Sequence, residues 1–166
     1  MYKNLFAWAS ISEKGTKDGK KGNQTGKELK IGNYYQFGQN WVISFKSKKK
    51  GKLASEIAKL LVANRNIGYG QNDRKSLYNE CERIGWNIQR IHEIGLCNCD
   101  CSMLIICIIN FAFGKSLLEY SYTTYSLPKI VEKYPKLFKF SNKSLYSLKF
   151  RKGDIVGKSG HVIINV

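Results

Sequence analysis

An α+β fold is what these 166 residues predict, on three observations. Apolar strand-like segments come first, helix-like segments follow, and strand-like segments return at the end. One helical segment, Cys101 to Phe113, is apolar nearly all round, which suits a central buried helix. The hydrophobic content of 43% and aromatic content of 13%, in a chain the length of one ordinary domain, can close a core without disulfides or metals.

Leu5 to Ile11 is mostly apolar, partly alternating, and predicts the first strand. Residues 12–26 are polar and carry Gly15, Gly19, Gly22 and Gly26, so they predict a long loop, a feature usually functional or mobile inside a small domain. Trp41 to Phe45 is a second strand. The basic run Lys46 to Lys52 that follows reads as a solvated connector or a polyanion contact. Leu53, Ile57, Leu60 and Leu61 then share one face of a helix over 52–64. A second helix is capped by Asn72 or Asp73, has Leu77, Cys81 and Ile84 on one face, and ends at Gly85. Asp100 caps the apolar helix and Gly114 terminates it. Ser126 and Pro128 open a short helix to about Tyr134. Lys152-Gly153-Asp154 turns the chain into Ile155-Val156, and His161 opens a last strand, Val162 to Val166.

Composition narrows the function classes. Lys and Arg number 28 against 12 acids, a net charge of +16 that predicts a polyanionic partner: nucleic acid, an anionic membrane or an anionic wall polymer. The longest apolar stretch, Met103 to Phe113, is short of the ~20 residues that span a bilayer. The opening Met1-Tyr2-Lys3-Asn4-Leu5-Phe6-Ala7-Trp8 lacks the apolar run and cleavage site of a signal peptide. The expected setting is therefore a host cytoplasm or a virion, with any wall target reached after release. Five clustered cysteines, an odd number, make a poor disulfide framework.

Cys97-Asn98-Cys99-Asp100-Cys101-Ser102 runs straight into the apolar helix. A thiol at a helix start feels unpaired N–H groups and the positive end of the dipole, both of which favour thiolate. A catalytic thiol also needs a base, and only His92 and His161 are available. His161, after the Ser159-Gly160 turn and at the head of a strand, can be held rigidly opposite the helix. Such a Cys/His pair suits a thiol hydrolase. Inert structural roles for both residues fit the same spacing. The alternating cysteines lack the usual zinc spacing, and His92 is the only nearby fourth ligand, so no metal is expected.

Asp100-Cys101-Ser102 before an apolar helix, with Gly153-Asp154 and then Gly160-His161-Val162, resembles the NlpC-type papain-like peptidoglycan amidohydrolases. Trp8-Ala9-Ser10-Ile11, Gly22-Asn23-Gln24-Thr25-Gly26-Lys27-Glu28, Gly68-Tyr69 and Leu77-Tyr78 extend the likeness, in order, to the branch found in phage and prophage lysins of Gram-positive bacteria. The resemblance implies a papain-like, mostly antiparallel sheet packed on helices. Cys101 would be the nucleophile at the start of the central helix and His161 the base. Tyr69 would line the oxyanion region, with Gln24 and Ser102 as further substrate-side candidates. It also implies no cofactor, a target in Gram-positive peptidoglycan, and adhesion to teichoic acids through the basic surface.

Three departures from the family pattern stand out. Asn23 replaces the usual Asp, and Met103 stands where a small residue is common. The family's third polar residue lies on a strand after the histidine, whereas this chain has five residues beyond His161. Either the module is truncated, or the N-terminal strand completes the sheet and Gln24, Ser10 or Glu13 orients His161; the second is the expectation. The chain is thus expected to be one catalytic domain over 1–166, with 1–52 completing the sheet and 53–166 holding the Cys/His core. Endopeptidase and N-acetylmuramoyl-alanine amidase activities are both open. A small basic nucleic-acid-binding protein and an inactive wall-binding module are the alternatives from other classes. Against the first, the basic residues are scattered and no RNA-recognition or zinc-finger pattern is present.

Overall fold

The computed structural model describes residues 4–142 and 149–166. Met1, Tyr2 and Lys3, read above for a leader, lie outside them. The elements run β1 (Leu5–Ala9), β2 (Leu29–Asn33), β3 (Trp41–Phe45), α1 (Lys48–Ala63), β4 (Ile67–Tyr69), α2 (Lys75–Arg83), β5 (Cys97–Cys99), α3 (Cys101–Phe113), α4 (Ile130–Lys133), β6 (Phe138–Ser141), β7 (Ile155–Lys158) and β8 (His161–Asn165), with 3-10 turns at Ile88–Glu93 and Leu127–Lys129. The fold is α+β. Six strands form one antiparallel sheet in the order β2-β1-β8-β7-β3-β6, and β4 and β5 form a separate parallel pair.

Alternation along the strands divides the apolar residues between two faces. Ala7, Ala9, Trp41, Ile43, Phe45, Ile155, Val162 and Ile164 join the large core with α1, α2 and α3. Phe6, Trp8, Val42, Val156 and Ile163 form a smaller cluster on the opposite face, extended by Phe37 and Phe150. At roughly 1.5–3 kcal/mol per large apolar side chain buried, the helix side dominates the stability. Helix α3 lies at its centre, with every residue from Cys101 to Ala112 buried. Its Asp100 cap and its Gly114 terminator, at φ +66°, are both as the sequence predicts.

Several boundaries differ from expectation. The first strand ends at Ala9, before the expected Ile11. Helix α1 starts at Lys48, because Ser47 Oγ accepts the Lys50 N–H and so caps the basic run. Most of that run is therefore helix and not connector. The Lys50 ammonium crosses to the far end of α3 and donates to the Ala112 carbonyl, 2.5 Å away. Neither Asn72 nor Asp73 caps α2: Arg74 occupies the cap position with no side-chain bond to the helix. Asn72 instead donates through its backbone and side chain to the Asp18 carboxylate.

The glycine-rich loop is held by hydrogen bonds of its own. The buried Glu28 carboxylate accepts from the backbone N–H groups of Gln24, Thr25 and Lys27 and from the Thr25 hydroxyl. Burial alone would raise its pKa; these donors outweigh that and hold it below the usual carboxylate value. Asn23 Oδ1 accepts from Gly26 N–H at 2.7 Å, a bond an aspartate could also make. Its amide adds a donor to the Leu29 carbonyl. The Asn-for-Asp departure is thus compatible with the same turn. The loop docks on the β4–β5 pair through Gly22 N–H to Cys97 carbonyl. Gly68 is glycine for that reason: a Cβ there would sit 2.4 Å from the Gly22 carbonyl oxygen.

Candidate functional site

The start of α3 is braced by an ionic network. Asp100 Oδ1 accepts from the Met103 N–H at 2.7 Å and from the Ser102 hydroxyl at 2.9 Å. Arg74 Nε lies 2.6 Å from Asp100 Oδ2, and its Nη2 donates to Ser102 Oγ. The same guanidinium donates to the carbonyls of Tyr120 and Tyr122, which ties the connection after α3 to the helix start. Thr124 Oγ1 in that connection accepts the Gly160 N–H at 2.9 Å, next to His161. Arg74, just before α2, thus ties the head of α3 to the connection after it, and Thr124 ties that connection to the β7–β8 turn.

Cys101 is the first residue of α3 and the only one of the five cysteines with measurable exposure, at 7%. Burial pushes its thiol up to about 12, with the neighbouring Asp100 charge adding to the rise. The backbone N–H groups of Val162, Ser102 and Cys101 pull the other way. The dipole argument made from the sequence is therefore outweighed, and the resting sulfur is a thiol. The same N–H groups are suited to negative charge that develops during a reaction.

His161 opens β8, one residue before the Val162 N–H that faces Cys101. Its Nε2 lies 2.7 Å from the Tyr35 hydroxyl, and the Phe37 ring packs edge-on at 4.9 Å between centroids. Burial holds its pKa below the ordinary histidine value, and Lys158, its partner across the β7–β8 pair, lowers it further. The imidazole is neutral at neutral pH. Tyr35 is also raised, by burial first and then by the negative charge Cys101 carries when ionised, so it lies within electrostatic reach of that sulfur as well as in contact with the ring.

The other candidates fall into two groups. Tyr69, 4% exposed on β4, faces the site: its hydroxyl is pushed up to about 12 by burial, with Cys101, Asp100 and Cys99 contributing. It accepts from Gln71 Nε2, which leaves its own O–H to donate. Ser102 is engaged in the bracing network. Gln24 spends its amide on the Lys21 and Gly22 carbonyls. Glu13 accepts from Lys20 N–H, and the Ser10 N–H donates to the Glu28 carbonyl. Tyr35 is the one member of the constellation that no motif in the sequence marks. An aromatic run of Tyr34, Tyr35 and Phe37 in a turn between strands was its only signal.

Cys97 and Cys99 alternate along β5, yet both are fully buried, as are Cys81 and Cys107. Burial raises the pKa of the Cys97, Cys99 and Cys107 thiols. No disulfide forms, and no group of three or more His, Cys, Asp or Glu side chains among the described residues is arranged to hold a metal ion. His92 lines a groove with Leu60, Asn64 and Gln89. No helix among the described residues is long and apolar enough to cross a membrane.

A family model described as an endolysin-like domain matches residues 6–166. The chain belongs to that family. Membership ties it to the lysin-related, cell-wall class of function. No curated protein and no solved structure matches it. The matched span of this endolysin-like domain takes in Tyr35, Tyr69, Cys101 and His161.

Proposed function

We propose that this endolysin-like domain is a cysteine-dependent peptidoglycan hydrolase of the NlpC-type papain-like kind. Residues 1–166 would act as one catalytic domain that cleaves an amide bond of the Gram-positive wall, as an endopeptidase or an N-acetylmuramoyl-alanine amidase. The observation that carries the proposal is the juxtaposition of Cys101, at the head of the buried helix, with the first residues of β8, where Val162 N–H meets the thiol and His161 precedes it.

The mechanism starts from a neutral pair. His161 takes the Cys101 proton as the sulfur attacks the amide carbonyl, so charge appears only along the reaction path. The oxyanion would be met by backbone N–H groups at the head of α3 and by the Tyr69 O–H. His161 then returns its proton to the leaving amine, and water releases the acyl group from sulfur. No cofactor enters these steps. The net charge of +16 favours adhesion to phosphate-bearing teichoic acids, an attraction that weakens with salt. Such a protein acts after release from a host cytoplasm or from a virion.

The test is digestion of purified Gram-positive peptidoglycan by the wild type and by Cys101→Ala, with fragments read by mass spectrometry. New amine and carboxyl ends that vanish in the variant support the proposal and name the bond. Wall binding without fragments from several wall chemotypes would overturn it. Activity should fall as pH drops through the His161 pKa, and the midpoint should lie below the ordinary histidine value of 6.5.

A further inference from the structure

Four rings, those of Trp8, Tyr35, Phe37 and His161, pack together near the head of β8, and one contact among them has no role in the steps above. Tyr35 Oη meets His161 Nε2 at 2.7 Å. The Tyr35 ring is wedged between Trp8 on β1, at 5.2 Å, and Phe37, at 5.5 Å between centroids. The tyrosine is 36% exposed, and these two ring contacts orient it independently of its hydroxyl. The polar groups of Gln24, Ser10 and Glu13 described above are engaged within the glycine-rich loop or with Glu28, and none of them is spent on the ring.

A neutral imidazole has one N–H and one lone pair, and the partner of one nitrogen decides which is which. From this geometry we propose that Tyr35 is the positioning residue for His161: its Oη accepts the Nε2–H and so leaves the lone pair on Nδ1. Nδ1 is then the nitrogen that takes the Cys101 proton. When the ring is protonated, Nε2 remains a donor to the same oxygen, so the contact survives both protonation states of the cycle. Lys158 on β7 disfavours the imidazolium, and Tyr35 supplies a neutral acceptor where a carboxylate would supply a charge. The inference rests on the hydrolase reading for its catalytic consequence, but not for its structural one.

The tautomer can be read without substrate. The chain has two histidines, so ring-¹⁵N-histidine labelling gives two spin systems, and His92→Gln assigns them. Above the His161 pKa, the wild type should show the Nε2–H tautomer at His161. Tyr35→Phe keeps the wedged ring and removes only the oxygen; it should shift His161 toward a mixture and leave His92 unchanged. On peptidoglycan the same variant should lose roughly tenfold or more in kcat, less than the ~10²–10⁴-fold a general base supplies, with KM within about twofold. A wild-type Nδ1–H tautomer, or a Tyr35→Phe spectrum identical to wild type, overturns the assignment whatever the activity. Failure of wild type and Cys101→Ala alike to cut the wall, with the tautomer shift intact, would instead remove the hydrolase reading and keep the Tyr35–His161 contact.

Discussion

Two helices of this protein begin in opposite electrostatic company. Helix α1 starts with Lys48, Lys49 and Lys50 behind the Ser47 cap and has no acid in its first turn. Helix α3 starts behind Asp100, locked to Arg74 and Ser102 and carrying Cys101. A helix N-terminus carries about half a positive charge, so cations there are unfavourable and an anion is favourable. By that rule α3 is built for stability at its start and α1 is not. The cost appears at the thiol, because the Asp100 charge that caps α3 also opposes formation of a thiolate one residue away. The head of α3 is organised for fixed geometry at the expense of a reactive resting sulfur.

Arg74→Ala should break the comparison most severely. It strips the partner from a half-buried carboxylate and frees the Tyr120 and Tyr122 carbonyls, which predicts a loss of about 3 kcal/mol in urea unfolding. If stability is unchanged, the head of α3 is no better braced than that of α1. Asp100→Asn keeps a capping oxygen but removes the charge. Cys101 should then alkylate faster, about tenfold for each unit its pKa falls, in a pH series with iodoacetamide. An unchanged rate would mean that burial alone sets the thiol. Lys49→Glu should have the smallest effect, a gain of about 0.5 kcal/mol in thermal unfolding that fades in high salt. A loss of stability there would show that the lysines at α1 are not in conflict with the helix.

Long, strongly patterned elements were legible in the sequence. The mostly apolar run 101–113, its Asp100 cap and Gly114 stop, and the strand Trp41–Phe45 needed only periodicity and capping rules. The strands β4 and β5 have three residues each, too few for any period to show. Strand β2, Leu-Lys-Ile-Gly-Asn, is an edge strand with exposed positions and a glycine, so tertiary pairing with β1 decides it. At the candidate site, spacing and resemblance mark Cys101, His161 and Tyr69 in the sequence. Tyr35 carries no such mark, since its contact with His161 depends on a turn packed against Trp8 and Phe37. The dipole argument for the thiol failed because the burial that the apolar helix itself signals, and the Asp100 charge beside it, oppose the thiolate more than the helix start favours it.

Strand β8 lies in the middle of the sheet, between β1 and β7, and pairs Asn165 with Phe6. Few pairings could be more remote along the chain. Closing such a loop costs entropy that is recovered only when the strand is seated, so folding should be slow for a protein of this size. Until then Val162 has not reached Cys101, and His161 has not met Tyr35. Protection of the Cys101 thiol during refolding should therefore rise with the last kinetic phase, which makes that sulfur a clock for sheet closure.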